Sequence, residues 1–321
     1  MINNICIIGG SGFIGTVLSK KFINKIDFSI IDKIESNQYS NLTQIADVRN
    51  MESLRKVIPD SSIIINLAAE HRDDVKPISL YGEVNVNGAK NICIVAREKN
   101  VKKIIFTSTV AVYGFGPIGT DENGKINPFN EYGKTKYKAE QIYKLWQEED
   151  PDERTLVIIR PTVVFGENNR GNVYNLFHQI ISGKFIMVGN GYNKKSMAYV
   201  ENVVAFIKHS LIFKPGIHIY NYVDKPDFTM NSLISLVRGI MGFQKKNIVK
   251  IPYIIGFFIG KLFDLLTLIS GKKFTISSIR IKKFCANSVY NTAIDNSGFK
   301  APITIKDALE KTIIYEFIEK S

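Results

Sequence analysis

The chain has 321 residues, of which 45% are hydrophobic and 22% are charged. This apolar content excludes an intrinsically disordered chain, and the length excludes a small disulfide-stapled scaffold. One large two-part fold or two domains are expected. The net charge of +12 indicates an anionic partner, which could be a nucleic acid, a phosphate-bearing substrate or a membrane surface.

Short apolar runs alternate with longer mixed segments in the first half of the chain. These runs are rich in Ile and Val and predict buried strands over Ile5–Ile8, Phe28–Ile31, Ile63–Leu67, Ile104–Thr107 and Leu156–Ile159. The segments between them are long enough for helices. The pattern therefore predicts an α/β fold with a Rossmann-type, doubly wound parallel sheet. After about residue 161 the pattern becomes irregular, which indicates a smaller, mixed second part.

A glycine-rich turn follows the first predicted strand and precedes a helix-like stretch. Gly9, Gly12 and Gly15 have the spacing G-x-x-G-x-x-G, which permits a tight turn and brings a pyrophosphate close to a helix N-terminus. Asp32 ends the second strand, where a carboxylate hydrogen-bonds ribose hydroxyls and repels a 2′-phosphate. The combination predicts NAD, rather than NADP, as the cofactor.

Two residues that would lie just after a further strand, between Phe28–Ile31 and Ile63–Leu67, extend this prediction. Asp47 could accept a hydrogen bond from the adenine amino group, and Val48 could pack on the adenine ring. The alternative is that Asp47 is an exposed turn carboxylate, which is common in proteins.

A second motif places a lysine four residues after a tyrosine. Tyr132 and Lys136 would share one face of a helix, where a nearby ammonium group is expected to lower the pKa of the tyrosine. Tyr132 could then act as a general acid or base at a carbinol carbon, and Lys136 could also hold the nicotinamide ribose. Ser108 and Thr109 end a predicted strand, and their hydroxyls could bind the oxygen on which Tyr132 acts.

Taken in order, these motifs resemble those of the extended short-chain dehydrogenases/reductases. The residues that carry the resemblance are the glycine turn, Asp47-Val48, Asn66-Leu67-Ala68-Ala69, residues 107–109, the Tyr132/Lys136 pair, residues 160–166 and Ser297-Gly298-Phe299. The resemblance implies a catalytic set of Thr109, Tyr132 and Lys136. It also implies that residues from the same motifs contact NAD, namely Gly9, Gly12, Phe13, Ile14, Gly15, Asp32, Asp47, Val48, Leu67, Ala68, Ala69, Ser108, Tyr132 and Lys136.

The resemblance also implies a division into two domains. Residues 1–162 would form the NAD-binding domain, and residues 196–222 would return to it. Residues 163–195 and 223–321 would form a smaller substrate domain that includes an apolar segment, residues 251–270.

Less common stretches narrow the expected substrate. Residues 68–75, 166–175, 195–200 and 220–226 resemble the branch of this family that epimerises sugars at C4 on a diphospho-undecaprenol carrier. This implies conversion of GlcNAc-diphospho-undecaprenol to GalNAc-diphospho-undecaprenol through a 4-keto sugar, for surface polysaccharide (O-antigen) synthesis. Thr109 would contact the sugar, Asn172 and Lys195 match positions that contact the diphosphate, and Arg170 is a further candidate. A homodimer is also expected by family analogy.

Much of the positive charge is concentrated around the apolar segment. Residues 244–283 contain one acid, Asp264, and nine basic residues, which are Lys245, Lys246, Lys250, Lys261, Lys272, Lys273, Arg280, Lys282 and Lys283. No run of ~18 uncharged residues occurs there, so a simple transmembrane span is not expected. An apolar helix with basic flanks suits an anionic membrane surface; the alternative is a core or dimer helix with a solvated basic face.

Other patterns restrict partner and compartment. No helix-turn-helix, zinc or RNA-recognition pattern accompanies the charge, so nucleic-acid binding is not expected. Three widely spaced cysteines, Cys6, Cys93 and Cys285, predict reduced thiols and no metal site. The N-terminal sequence lacks the features of a signal peptide. We therefore expect a cytoplasmic protein that associates peripherally with the inner face of the cell membrane.

Two other functions compete with lipid-linked epimerisation. One is a soluble UDP-sugar 4-epimerase, for UDP-GlcNAc or UDP-Glc, or a nucleotide-sugar reductase of the same fold. The other is a non-catalytic dinucleotide-binding protein, which would lack the catalytic set that this chain contains. A dehydratase is disfavoured, because Val110 and Ala111 follow Thr109 where dehydratases carry an Asp-Glu pair.

Overall fold

The computed structural model describes residues 4–72, 75–243, 248–270, 274 and 276–320. Its strands are β1 (Ile5–Ile8), β2 (Phe28–Asp32), β3 (Thr43–Ile45), β4 (Ile63–Asn66), β5 (Lys103–Thr107), β6 (Thr155–Pro161), β7 (Val163–Phe165), β8 (Met187–Val188), β9 (Lys194–Tyr199), β10 (Gly216–Tyr222), β11 (Asp224–Thr229) and β12 (Lys250–Ile251). Its α-helices are α1 (Phe13–Phe22), α2 (Met51–Val57), α3 (Ser79–Tyr81), α4 (Gly88–Glu98), α5 (Glu131–Glu148), α6 (Asn172–Ile181), α7 (Val200–His209), α8 (Met230–Ile240), α9 (Tyr253–Ser270), α10 (Ser278–Cys285) and α11 (Ile305–Ile314).

Seven parallel strands form the central sheet, in the order β10-β6-β5-β4-β1-β2-β3. The strand order reverses between β1 and β4, which pair with each other through Ile5 and Ile63. Ligands bind such sheets at the crevice outside the carboxyl ends of the strands where this reversal occurs. The five predicted strands and the doubly wound parallel sheet are confirmed.

Both faces of the central sheet are covered by apolar layers. On one side, Ile92 of α4 and Trp146 of α5 pack with the strands, and both are fully buried. On the other side, Phe22 of α1 and Phe206 of α7 are also fully buried. This double burial explains the apolar runs without alternation, because a strand covered on both faces has no polar side. Burial on both faces also holds the ends of the strands rigidly in place.

The second half of the chain contributes to three sheets. β10 pairs with β6, so the segment 196–222 ends in the central sheet, as its predicted return to the first domain requires. β9 pairs instead with β7 and antiparallel with β11, and β8 pairs with β12. β9 therefore crosses the boundary predicted at residues 195/196. The division into domains stays a prediction.

Helix α9 contacts its neighbours through glycines. Gly256 and Gly260 are the buried residues of this helix. A Cβ at Gly256 would lie 2.5 Å from Val188 Cγ1, and one at Gly260 would lie 2.7 Å from the backbone of Ser278 in α10. The Ser278 hydroxyl also donates to Asp264 of α9 at 2.5 Å. The contacts of Gly260 and Asp264 hold α9 and α10 together as a pair, whereas Gly256 packs α9 on β8. The bond from Ser278 also satisfies Asp264.

The opposite face of α9 is apolar and exposed. Phe258 is 68% exposed and Leu268 is 82% exposed. By length and composition alone α9 could also cross a membrane, because its mean hydropathy is 1.7 even with Lys261 and Asp264 included. Four lysines of the basic segment, Lys245, Lys246, Lys272 and Lys273, lie outside the described residues.

Candidate active site

The glycine turn lies directly on the backbone that follows β4. Gly9 has φ +78°, and a Cβ there would lie 2.5 Å from the nitrogen of Ala68. At Gly15, a Cβ would lie 2.5 Å from Gly10 Cα. Neither site can accept a larger residue without moving backbone. The turn, Leu67, Ala68 and Ala69 thus border the crevice between β1 and β4.

The first turn of α1 has the features of a dinucleotide site. Gly12 is its N-cap and no side chain bonds there, so α1 presents the backbone N–H groups of Phe13 and Ile14 at a helix N-terminus. Beside it, the carboxylate of Asp32 accepts from the backbone N–H of Ser11 at 3.0 Å. A helix N-terminus, a close glycine turn and a carboxylate at the end of β2 fit a dinucleotide whose pyrophosphate and ribose occupy these positions.

The predicted adenine contacts have protein partners in the structure. Arg49 pairs with Asp47 at 2.6 Å, and its hydrogen bonds lower the pKa of Asp47. Val48 is buried beside Gly88, where an added Cβ would lie 2.9 Å from Val48 Cγ2. Contacts of Asp47 and Val48 with adenine stay predictions.

Tyr132 stands at the start of α5, where two features fix the helix. The side chain of Asn130 accepts from the backbone N–H of Gly133 at 3.0 Å and so caps α5. A Cβ at Gly133 would lie 2.5 Å from the carbonyl oxygen of Ala111. Gly133 therefore lets α5 begin in contact with the turn that follows Thr109. Gly133 lies inside the Tyr132/Lys136 motif, but the spacing of that motif does not indicate its contact with Ala111.

The structure brings Thr109 and Tyr132 together. The Thr109 hydroxyl accepts from the backbone N–H of Ala111 at 3.1 Å, so its own proton is left to donate. Burial raises the pKa of Tyr132 to about 12, and hydrogen bonding to Thr109 offsets part of that increase. Lys136, one helical turn further along α5, is 1% exposed and its Nζ lies 4.1 Å from the centre of the Phe106 ring.

The expected direction of the Tyr132 pKa is wrong for this structure. Burial also lowers the pKa of Lys136 to about 7, while Glu140 opposes that shift. An ammonium group this easily neutralised is a weak source of positive charge, so desolvation of the phenolate dominates at Tyr132. Tyr132 is therefore protonated at neutral pH in this arrangement and stands ready as an acid.

A buried ion pair lies next to the predicted catalytic residues. Arg160 of β6 donates to both carboxylate oxygens of Glu140, at 2.9 and 2.6 Å. The hydroxyl of Ser108 donates to the same carboxylate at 2.5 Å. The hydroxyl of Ser108 thus already donates its hydrogen bond to Glu140. A contact of Ser108 with the cofactor or substrate stays a prediction. Glu140 lies four residues after Lys136 and was not predicted as part of the site from the sequence motifs.

The predicted substrate-binding residues of the second half have different surroundings. Lys195 donates to the carbonyl oxygens of Lys283 and Ala286 at 2.8 and 2.7 Å, and burial lowers its pKa to about 8. Arg170 pairs with the buried carboxylate of Glu316 at 2.7 Å. Asn172 is the first residue of α6. The structure does not bring these three residues together with Tyr132 through any contact among its described residues.

Comparisons with known proteins identify the family. The sequence profile of the NAD dependent epimerase/dehydratase family matches residues 5–221. The chain is 48% identical to the N-acetyl-alpha-D-glucosaminyl-diphospho-ditrans,octacis-undecaprenol 4-epimerase of Escherichia coli O157:H7 over 320 residues, which are 99% of this chain and 96% of that protein. The chain therefore belongs to the NAD-dependent epimerase/dehydratase family, whose members are extended short-chain dehydrogenases/reductases, and its cofactor is NAD.

Two further similar proteins are named as epimerases of nucleotide sugars. The chain is 28% identical to the UDP-glucose 4-epimerase of Vibrio cholerae, over 64% of this chain and 66% of that protein. Its fold matches the UDP-N-acetylglucosamine 4-epimerase from Methanobrevibacter ruminantium M1 with a TM-score of 0.77, 20% identity and full coverage of both chains. The fold is thus that of sugar 4-epimerases.

Replacing Tyr132 with Phe should leave the protein folded and able to bind NAD, but without its proton donor. We expect turnover to fall by roughly 10²–10⁴-fold, the usual contribution of general acid–base catalysis. Steady-state kinetics and NAD binding should be measured in parallel. Tyr137→Phe, on the same helix, is the matched control. Retained turnover in Tyr132→Phe would remove this residue from catalysis.

Replacing Lys136 with Met should stabilise the protein while abolishing turnover. Because burial lowers the pKa of Lys136 to about 7, the unfolded chain binds a proton that the folded chain lacks from there up to the ordinary lysine value near ~10.4. Wild-type stability should therefore rise with pH across this window. Urea unfolding at several pH values should show that Lys136→Met gains more at pH 7 than at pH 10. An equal gain at both values would contradict the buried ammonium.

Proposed function

We propose that this protein is an NAD-dependent 4-epimerase that converts GlcNAc-diphospho-undecaprenol to GalNAc-diphospho-undecaprenol. The observation that carries this is the 48% identity to an enzyme of that name over 320 residues, which includes the α9–α10 pair. The UDP-sugar alternative has weaker support, because the UDP-glucose 4-epimerase match is 28% identical and covers 64% of the chain.

The catalytic residues would act on the sugar 4-hydroxyl. When bound, NAD would supply the hydride acceptor and donor at C4, which interconverts the sugar alcohol and a 4-keto sugar. The phenolate form of Tyr132, which the raised pKa makes a small fraction at neutral pH, would take the 4-hydroxyl proton in the first half-reaction, and the phenol so formed would return it in the second. The Thr109 hydroxyl, whose oxygen is already held by Ala111 N–H, donates to the reacting oxygen or to Tyr132. Lys136 would hold the nicotinamide ribose, and its lowered pKa makes it a weak source of positive charge for Tyr132.

Inversion at C4 requires the keto sugar to present its other face. A site that binds the diphosphate tightly and the sugar weakly permits this rotation. The rigid start of α5, fixed by Asn130 and Gly133, keeps Tyr132 in place while the sugar turns. The same tyrosine can then serve both half-reactions.

The substrate class can be tested directly. Purified protein with NAD should be incubated with GlcNAc-diphospho-undecaprenol in membranes and, separately, with UDP-GlcNAc. We expect GalNAc to form on the lipid and little or none on the nucleotide. Tyr132→Phe serves as the inactive control in both arms. Conversion of the nucleotide sugar alone would favour the soluble UDP-sugar epimerase.

We further propose that the α9–α10 pair binds the cytoplasmic face of the membrane. The exposed apolar face of α9 includes Phe258 and Leu268, and exposed basic residues on this helix pair are Lys261 of α9 and Arg280 of α10. An apolar helix face flanked by lysine and arginine suits the interface of an anionic bilayer, where each basic residue contributes ~1 kcal/mol. The bond between Asp264 and Ser278 removes the acid from the outer face.

Vesicle flotation tests this membrane contact. Phe258→Ser/Leu268→Ser should reduce binding to phosphatidylserine vesicles by about tenfold, since two large apolar side chains leave the interface. The control is Ile45→Ser/Ile212→Ser, which replaces two exposed isoleucines elsewhere on the protein. If both double variants bind like wild type, α9 has no role at the membrane.

A homodimer and a peripheral location at the inner face of the cell membrane complete the proposal. Exposed Leu145 of α5 and Ile94 of α4 lie on adjacent helices and support a helical interface. Arg97 and Glu149 tie these helices together through a salt bridge. Sedimentation analysis of the purified protein should give twice the mass of the chain.

A further inference from the structure

The ammonium group of Lys136 is buried in the protein with an aromatic ring as its partner. Lys136 is 1% exposed, and its Nζ lies 4.1 Å from the centre of the Phe106 ring. Among the residues that the structure describes, no hydrogen bond or salt bridge reaches this nitrogen. A buried ammonium without a counter-ion is costly, so any group that favours its charged form has a large effect on its protonation.

The charged groups near Lys136 compensate one another rather than the lysine. Glu140 lies one helical turn further along α5 and opposes the effect of burial on the pKa of Lys136. Its carboxylate, however, already accepts two hydrogen bonds from Arg160 of β6 and one from Ser108. The positive charge of Arg160 offsets most of the negative charge that Lys136 would otherwise experience. Tyr132, one turn earlier on α5, is protonated at neutral pH and adds no charge.

The Phe106 ring is held in place by the central sheet and by α5. Phe106 pairs with Asn66 of β4 and with Ile158 of β6, and it is 1% exposed. The ring of Tyr143 lies against it, with the ring centres 4.7 Å apart. Asn66 in turn donates to the hydroxyl of Tyr143 at 2.7 Å. The ring therefore cannot turn away from Lys136 without disturbing β4, β6 and α5.

From this arrangement we infer that Phe106 is a positioning residue for Lys136, and that the face of its ring keeps the buried ammonium charged. The negative face of an aromatic ring attracts a cation, and the attraction is largest where water is excluded. In the proposed function, on which this inference rests, the charged form of Lys136 favours the phenolate of Tyr132. Phe106 lies on β5, three residues before Thr109, so one strand end carries both the ring and the predicted catalytic hydroxyl.

Fluorinated phenylalanines at position 106 test the ring without removing it. Each fluorine weakens the negative face of the ring and changes its volume little. The ammonium group of Lys136 should be titrated by NMR in protein with isotope-labelled lysine, and Lys136→Met assigns its signal. We expect the pKa of Lys136 to fall with each added fluorine, by about one pH unit in the trifluorinated protein.

The same analogues at Phe22 are the matched control. Phe22 is also fully buried, but it packs on the opposite face of the central sheet, so its fluorination should leave the pKa of Lys136 unchanged. Phe106→Leu should lower the pKa of Lys136 as the trifluorinated ring does. Phe22→Leu, which loses a ring of the same size, should not.

Turnover of the NAD-loaded protein is the second measurement. With trifluorophenylalanine at position 106, turnover should fall about tenfold at pH 8, because the charged fraction of Lys136 falls by that factor there. At pH 5, where Lys136 is charged in both proteins, the loss should be less than about twofold. A purely structural role of the ring would reduce turnover equally at both pH values.

The two measurements separate this inference from the proposed function. The titration needs no substrate, so an unchanged pKa of Lys136 across the fluorinated series would overturn the role of Phe106 alone. Failure of the wild type to convert the lipid-linked sugar would overturn the proposed function, while the titration would still decide whether the ring keeps Lys136 charged.

Discussion

An ion pair sealed inside the protein, between Glu140 of α5 and Arg160 of β6, supports the active site. The side chain of Glu140 is 0% exposed and that of Arg160 is 3% exposed. Removing one partner of such a pair costs about 3–5 kcal/mol, because the other charge is left buried without compensation. The pair therefore fixes α5 against the sheet in one register. Tyr132 and Lys136 lie on the same helix, so their positions depend on it.

The same pair connects strands that are far apart in the chain. Glu140 accepts a hydrogen bond from the hydroxyl of Ser108, at the end of β5. Arg160 donates to the hydroxyl of Tyr113 at 2.6 Å, and that hydroxyl donates to Asn221 of β10 at 2.9 Å. The carboxyl ends of β5, β6 and β10 are thereby joined to α5 in one hydrogen-bonded network. Such a network is satisfied only in the folded arrangement, which gives the reacting groups a rigid base.

The parts of the structure that depend on local patterns could be predicted from the sequence. Apolar runs identified the strands of the central sheet, and fixed spacing identified the glycine turn and the Tyr132/Lys136 pair. The partner of Lys195 could not be found in this way, because it lies 88 residues away and is a backbone carbonyl. The pairing of Arg170 with Glu316 is likewise set by tertiary packing. The Tyr132 pKa was misjudged because neighbouring charge is visible in a motif, whereas burial is not.

The anchoring of α10 by Lys195 has a geometric consequence. β9 is part of a sheet, so α10 and the helix packed on it cannot drift far relative to Tyr132. If α9 rests on the bilayer, this attachment fixes the distance between the lipid surface and the hydroxyl oxygen of Tyr132.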